Sequence, residues 1–291
     1  MYKEVSFDPS CMGSMEYYGL VKQHFGYDHG RYISANIKAW AREAMKCAIA
    51  ADLPPVKKQS IKNFLNKASR SPVKKEYFVL PEDRKGVSED GWLDWHAEQE
   101  KVRPFSFVIS ESDHIDSITV DDINSGCDDW QVSRSVSVER NEKDLVAPLV
   151  SLMVISSSLT LLDPYFVFSD NEVVSELLVN AKTLGLSSVR FVTSMKTPGA
   201  ESIFDRCYKK NMPNNLSMSW IVVPDKYFHD RYVITDAGAI RSGQGFMPAT
   251  KRGVHADKAN YNSISKVEAA GVISELDELI KSGKAEVVFE V

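Results

Sequence analysis

From Asn141 to Val291, helix-length amphipathic segments alternate with short apolar runs, and that alternation admits few folds. Leu145 to Ile155 is apolar enough for a buried helix. Leu159-Thr160-Leu161-Leu162 has strand character and stops at Asp163-Pro164. Asp170 is placed to cap a helix carrying Val173, Val174, Leu177 and Leu178, closed near Gly185. Ser188 to Thr193 then reads as strand, Glu201 to Lys209 as helix, and Leu216 to Val223 and Arg231 to Thr235 as strands. Ile264 to Ile280 reads as helix and Ala285 to Phe289 as strand. Strands spaced by such helices predict an α/β fold, a mixed or largely parallel sheet with helices on both faces. Ligands of such sheets sit beyond the carboxyl ends of the strands.

The chain before Asn141 differs. Met15, Tyr18, Leu20, Val21 and Phe25 have a loosely helical spacing. Ser34 can cap a second helix through Ile37, Trp40, Ala41, Ala44, Met45 and Ala48, ended at Leu53-Pro54-Pro55. Ile61, Phe64, Leu65 and Ala68 mark a third. Strand-like runs follow at Tyr77 to Leu80, Phe105 to Ile109, Ser117 to Val120 and Gln131 to Val138. Between Pro81 and Arg103 the charged segment with Trp92 and Trp95 reads as a loop or short helix. The expected organisation is a helical region 1–75, a β-rich acidic region 76–140 and an α/β domain 141–291.

Of 291 residues 43% are hydrophobic, enough for a sizeable core. No run reaches the about 18 apolar residues of a membrane span, and MYKEVSFDPS lacks the features of a signal peptide. Cys11, Cys47, Cys127 and Cys207 are far apart, which suits free thiols in a reducing cytosol. A net charge of −5 conceals segregation. Residues 54–75 hold Lys57, Lys58, Lys62, Lys67, Arg70, Lys74 and Lys75 and no acid, whereas 82–142 carry sixteen acidic against six basic residues. Local potential decides anion binding, so an acidic whole does not exclude a polyanion. The basic helix has two readings: a surface for nucleic acid or anionic membrane, or a solvated face.

One segment carries chemistry: Phe228-His229-Asp230-Arg231 and onward through Asp236, Arg241, Gly243, Gln244, Gly245 and Phe246. On a strand, His229 and Arg231 point to one side, because side chains alternate with period two. Imidazole is a competent nucleophile at neutral pH, and a second imidazole can protonate a leaving oxygen. A guanidinium fork suits the non-bridging oxygens of a phosphate. Gly243 and Gly245 let backbone N–H groups approach an anion. Asp236 is expected to orient a histidine. The scheme calls for no metal or cofactor. His29-Gly30-Arg31 repeats His-x-Arg, but Asn36 stands at the aspartate position and a helix follows.

These spacings resemble the phospholipase D superfamily, whose pattern is His-x-Lys, four residues, Asp, six residues, Gly. His229, Asp236 and Gly243 match; Arg231 stands for Lys, and Gln244-Gly245-Phe246 for Ser-x-Asn. Asp163-Pro164-Tyr165 upstream looks like the phospholipase-D-like domain found at the C-terminus of MIT-domain proteins and its bacterial relatives, over about a third of the chain. The resemblance implies a metal-independent phosphodiesterase. Its catalytic residues are His229, Arg231 and Asp236. Its phosphate binders are Arg241, Gly243, Gln244 and Gly245, with Asp163 and Tyr165 in support. A complete site needs two motifs. One copy therefore implies a homodimer joined through the C-terminal domain.

Residues 196–252 also carry nine basic against five acidic residues, and these two basic segments favour nucleic acid as partner. The expectation is a cytosolic nuclease of a prokaryotic conflict system, its N-terminal region recognising substrate or a partner protein. The alternative is a catalytically silent module that binds nucleic acid, lipid headgroups or a protein. Glu111, Asp113, His114 and Asp116 have the composition of a metal site and equally of a solvated acidic loop.

Overall fold

The computed structural model describes residues 1–70, 76–87, 91–249 and 257–291. Lys74 and Lys75 of the basic segment lie outside them. Two compact units divide the chain, residues 2–132 and 133–291.

In the first unit, β1 (Lys3–Phe7), β2 (Arg31–Ser34), β3 (Phe78–Val79) and β4 (Phe107–Ile109) form one sheet in the order β3-β2-β1-β4, and every pair is parallel. Its helices are α1 (Met15–His24), α2 (Ile37–Ala50), α3 (Pro55–Arg70), α4 (Trp92–Val102) and α5 (Val120–Asn124). The stretch expected to be purely helical thus contributes two strands, and they share a sheet with strands from the stretch expected to be β-rich. Strand β1 lacks an apolar signature because its buried positions include Glu4 and Ser6. Each is satisfied by a distant partner: Glu4 by Arg84 (Nε–Oε1 2.6 Å) and Arg103, Ser6 by His96 at 3.0 Å. Ser34 ends β2, and Asn36 is the N-cap of α2. Val120 opens α5 under a Thr119–Asp122 capping box instead of continuing a strand.

The second unit contains β5 (Ser135–Glu139), α6 (Glu142–Val154), β6 (Ser158–Leu162), α7 (Glu172–Leu184), β7 (Ser188–Thr193), α8 (Ala200–Cys207), β8 (Ser217–Val222), β9 (Arg231–Thr235), β10 (Ala239–Ser242), β11 (Lys258–Ser263), α9 (Lys266–Lys281) and β12 (Glu286–Glu290). They build a mixed sheet of eight strands in the order β12-β8-β7-β6-β9-β10-β11-β5. Strands β6, β7 and β8 run parallel, and the other pairings are antiparallel. Four consecutive buried residues in β6 and again in β9 mean that both faces of the central sheet are covered.

Phe166, Phe168, Phe191 and Trp220 stack in the core. Helix α7 is capped by Asn171, whose side chain accepts from Val173 N; Asp170 instead takes a left-handed φ of 50° just before it. Strand β11 has little apolar signature, since only Ala259 and Tyr261 of its six residues are buried.

Candidate functional site

The site lies where β9 begins, beside the carboxyl end of β6. Antiparallel pairing sets Leu162, the last residue of β6, opposite Tyr232. Arg231 therefore opens β9 next to the Asp163-Pro164-Tyr165 turn. It is 23% exposed at the side chain, and its Nη1 donates to the Gly243 carbonyl at 3.0 Å. Its Nε is buried without a hydrogen-bond partner, 4.0 Å from Asp163 Oδ1. The guanidinium carbon lies 5.2 Å from the centroid of the Tyr165 ring. His229, expected on the strand with Arg231, lies two residues before the first residue of β9 and is exposed.

Asp163 organises the floor. It is 2% exposed, and its carboxylate accepts from Tyr165 N at 3.0 Å and Phe246 N at 2.9 Å. Burial pushes this carboxyl above its ordinary value, against the pull of the two N–H groups, Arg231 and Arg140. Arg140 gave no signal in the sequence. It is buried, its Nε and Nη2 donate to the Met247 carbonyl at 3.0 and 2.8 Å, and burial lowers its pKa. Two guanidiniums thus act on one carboxylate, which leaves these three groups net positive beneath the strand mouth.

Several expected contributors are placed elsewhere. Asp236 lies just past the far end of β9, about 16 Å of extended chain from Arg231. Its carboxylate accepts from Ser157 N and Ser157 Oγ, each at 2.8 Å, so it anchors the start of β6 and does not orient His229. Arg241 pairs with Tyr232, whereas Arg231 pairs with Ser242. Alternation sends Arg241 to the opposite face, where it meets Glu268 at 3.4 Å and Asp230 at 3.8 Å.

Several polar groups of the turn after β10 are taken up by protein. Gly245 N donates to Ser242 Oγ, and Phe246 N to Asp163. The Gln244 Oε1 accepts from Asn260 N at 3.0 Å. Of the turn, the Gly243 carbonyl alone was found on Arg231 among the described residues.

In the first unit, Lys57, Lys67 and Arg70 are exposed on α3, and Lys58 and Lys62 are half-buried. Lys58 donates to the Ile49 carbonyl at 3.0 Å. Glu111 accepts from the Tyr17 hydroxyl. Among the described residues no group of three or more His, Cys, Asp or Glu side chains gathers as metal ligands, and no helix is long and apolar enough to cross a membrane.

No family model matches the chain, and no curated protein matches it. Among solved structures it is similar to Nuc, a phospholipase D family member from Salmonella typhimurium. That match has a TM-score of 0.34 at 13% identity and covers 50% of this chain and 91% of the other. It is also similar to TrmBL2, an archaeal chromatin protein described with a novel mode of DNA binding. There the TM-score is 0.33 at 14% identity, over 83% of this chain and 86% of the other. At these scores neither neighbour decides the fold or the function of this chain.

Proposed function

We propose that the mouth of β9 is a phosphodiester site and that the chain is a metal-independent phosphodiesterase acting on nucleic acid. The observation that carries this is Arg231, a guanidinium fixed by the Gly243 carbonyl at the strand mouth that also presents the exposed His229. The positive floor made by Arg231 and Arg140 favours an anion there. In the proposed reaction the imidazole attacks phosphorus, and the bond to the leaving oxygen breaks. That oxygen takes a proton from a second imidazole. Water then releases the phosphoryl group from His229. The second imidazole comes from another copy of the chain, so turnover requires a homodimer through the second unit. A role in a cytosolic conflict system belongs to the same proposal.

A second reading has its own support. Among the described residues no acid is hydrogen-bonded to the side chain of His229, and Asp236 is held at the other end of the strand. A single unoriented histidine suits a docking module that keeps the phosphate contact and does no chemistry.

Cleavage of a labelled oligonucleotide by wild type, His229→Ala and Arg231→Lys, in EDTA and in magnesium, separates the readings. Under the first, wild type cuts in EDTA, His229→Ala loses cleavage by orders of magnitude, and Arg231→Lys loses far less. Light scattering then finds a dimer. Binding without cleavage, lost in Arg231→Ala, selects the docking module. Cleavage unchanged in His229→Ala contradicts the enzymatic reading.

A further inference from the structure

We infer that Tyr165 is a stacking platform for a nucleobase, so that the site takes single-stranded nucleic acid in preference to duplex. This rests on the phosphodiester reading of Arg231 given above.

Tyr165 is 60% exposed. It nevertheless stands on a fixed turn. Its N–H donates to buried Asp163 at 3.0 Å, and the preceding Pro164 carbonyl accepts from Ser194 N at 3.0 Å and Thr193 Oγ1 at 3.2 Å. A rigid exposed aromatic loses little entropy on binding, as a recognition ring should. Arg231 occupies one side of the ring at 5.2 Å. With that side taken, the large exposed fraction leaves the other face open.

A phosphate on the outward edge of Arg231 therefore places its nucleotide beside an open π-face. Stacking on it requires a base whose own face is free. An unpaired base offers one, whereas a duplex keeps its faces inside the stack. The neighbouring surface continues the pattern. Ser194 N, bonded to Pro164, leads directly into Met195 and Lys196, both exposed at the carboxyl end of β7. They add an apolar contact and a cation along the path a strand would follow. If Tyr165 served only to pack against Arg231, the ring would not need this exposure and its loss would act only through the arginine.

The test is fluorescence anisotropy in EDTA with labelled oligothymidylate, the same strand carrying abasic sites, and a duplex. The proteins are wild type, Tyr165→Phe, Tyr165→Ala and Arg231→Ala, each checked for an unchanged melting profile. Wild type is expected to bind the intact single strand more tightly than either other ligand. Tyr165→Ala should lose roughly ten-fold or more in affinity, and Tyr165→Phe should keep it. The abasic strand should bind wild type and Tyr165→Ala alike. Equal binding by Tyr165→Ala and wild type, or of abasic and intact strands by wild type, overturns the stacking role. If Arg231→Ala nonetheless loses binding in that case, the phosphodiester reading survives alone. Undiminished binding by Arg231→Ala overturns both.

Discussion

A Cβ on Gly245 would stand 2.5 Å from Oδ2 of Asp163, so the turn after β10 and the carboxyl end of β6 are fitted to each other through one carboxylate. Gly245 also has a φ of 82°, which side-chain-bearing residues rarely adopt. The oxygen in the way is the one that Phe246 N bonds.

Gly245→Ala should therefore destabilise the second unit by about 2–4 kcal/mol, combining left-handed strain with displacement of a buried acceptor. Urea unfolding of both proteins measures it. A change below about 0.5 kcal/mol would mean that the turn is not held by Asp163.

Asp163→Asn replaces one of the two carboxylate oxygens that accept from backbone N–H groups with a donor and should cost about 1–3 kcal/mol. Its pH dependence has a definite sign. Burial raises the folded pKa of Asp163 above the ordinary 3.8. The stability its protonated form supplies is complete below 3.8 and lost as pH rises through the folded value. The margin of wild type over Asp163→Asn should shrink across that rise. A margin that grows with pH would show that the N–H groups and arginines outweigh burial.

The β6-to-β9 order, the Asp163 turn and the placement of Arg231 were legible because each rests on local signals: apolar runs, Asp-Pro punctuation and period two. What was illegible depends on long-range partners. Glu4 and Ser6 disguised β1, since a buried carboxylate makes sense only once Arg84 and Arg103 arrive from 80 and 99 residues away. Arg140 could not be singled out, because its carbonyl partner at Met247 is set by tertiary packing. The spacing around His229 suggested that Asp236 orients a histidine, whereas its carboxylate is bonded to Ser157 past the far end of β9.

Asp236→Ala is accordingly expected to behave as a stability variant. It removes the acceptor for Ser157 N and Oγ at the start of β6 and should cost about 1–3 kcal/mol. Cleavage per folded molecule at a temperature well below its melting point should match wild type. A large loss of kcat with unchanged stability would return Asp236 to the reaction.

In the first unit, Glu4→Gln leaves the fully buried Arg84 without its bidentate carboxylate. Losing one partner of a buried pair costs about 3–5 kcal/mol. Thermal unfolding followed by near-ultraviolet circular dichroism should show a marked drop in midpoint. An unchanged midpoint would mean that the pair is open to water in solution.

The most direct measurement is a crystal of the chain soaked in tungstate, a heavy phosphate analogue. An oxyanion is expected within hydrogen-bond distance of the Arg231 guanidinium, with the His229 ring turned toward it. In a turnover-competent assembly a second copy of His229 should stand on its far side. Tungstate bound only elsewhere, with Arg231 still closed on Gly243 and Asp163, would contradict a phosphodiester site at the mouth of β9.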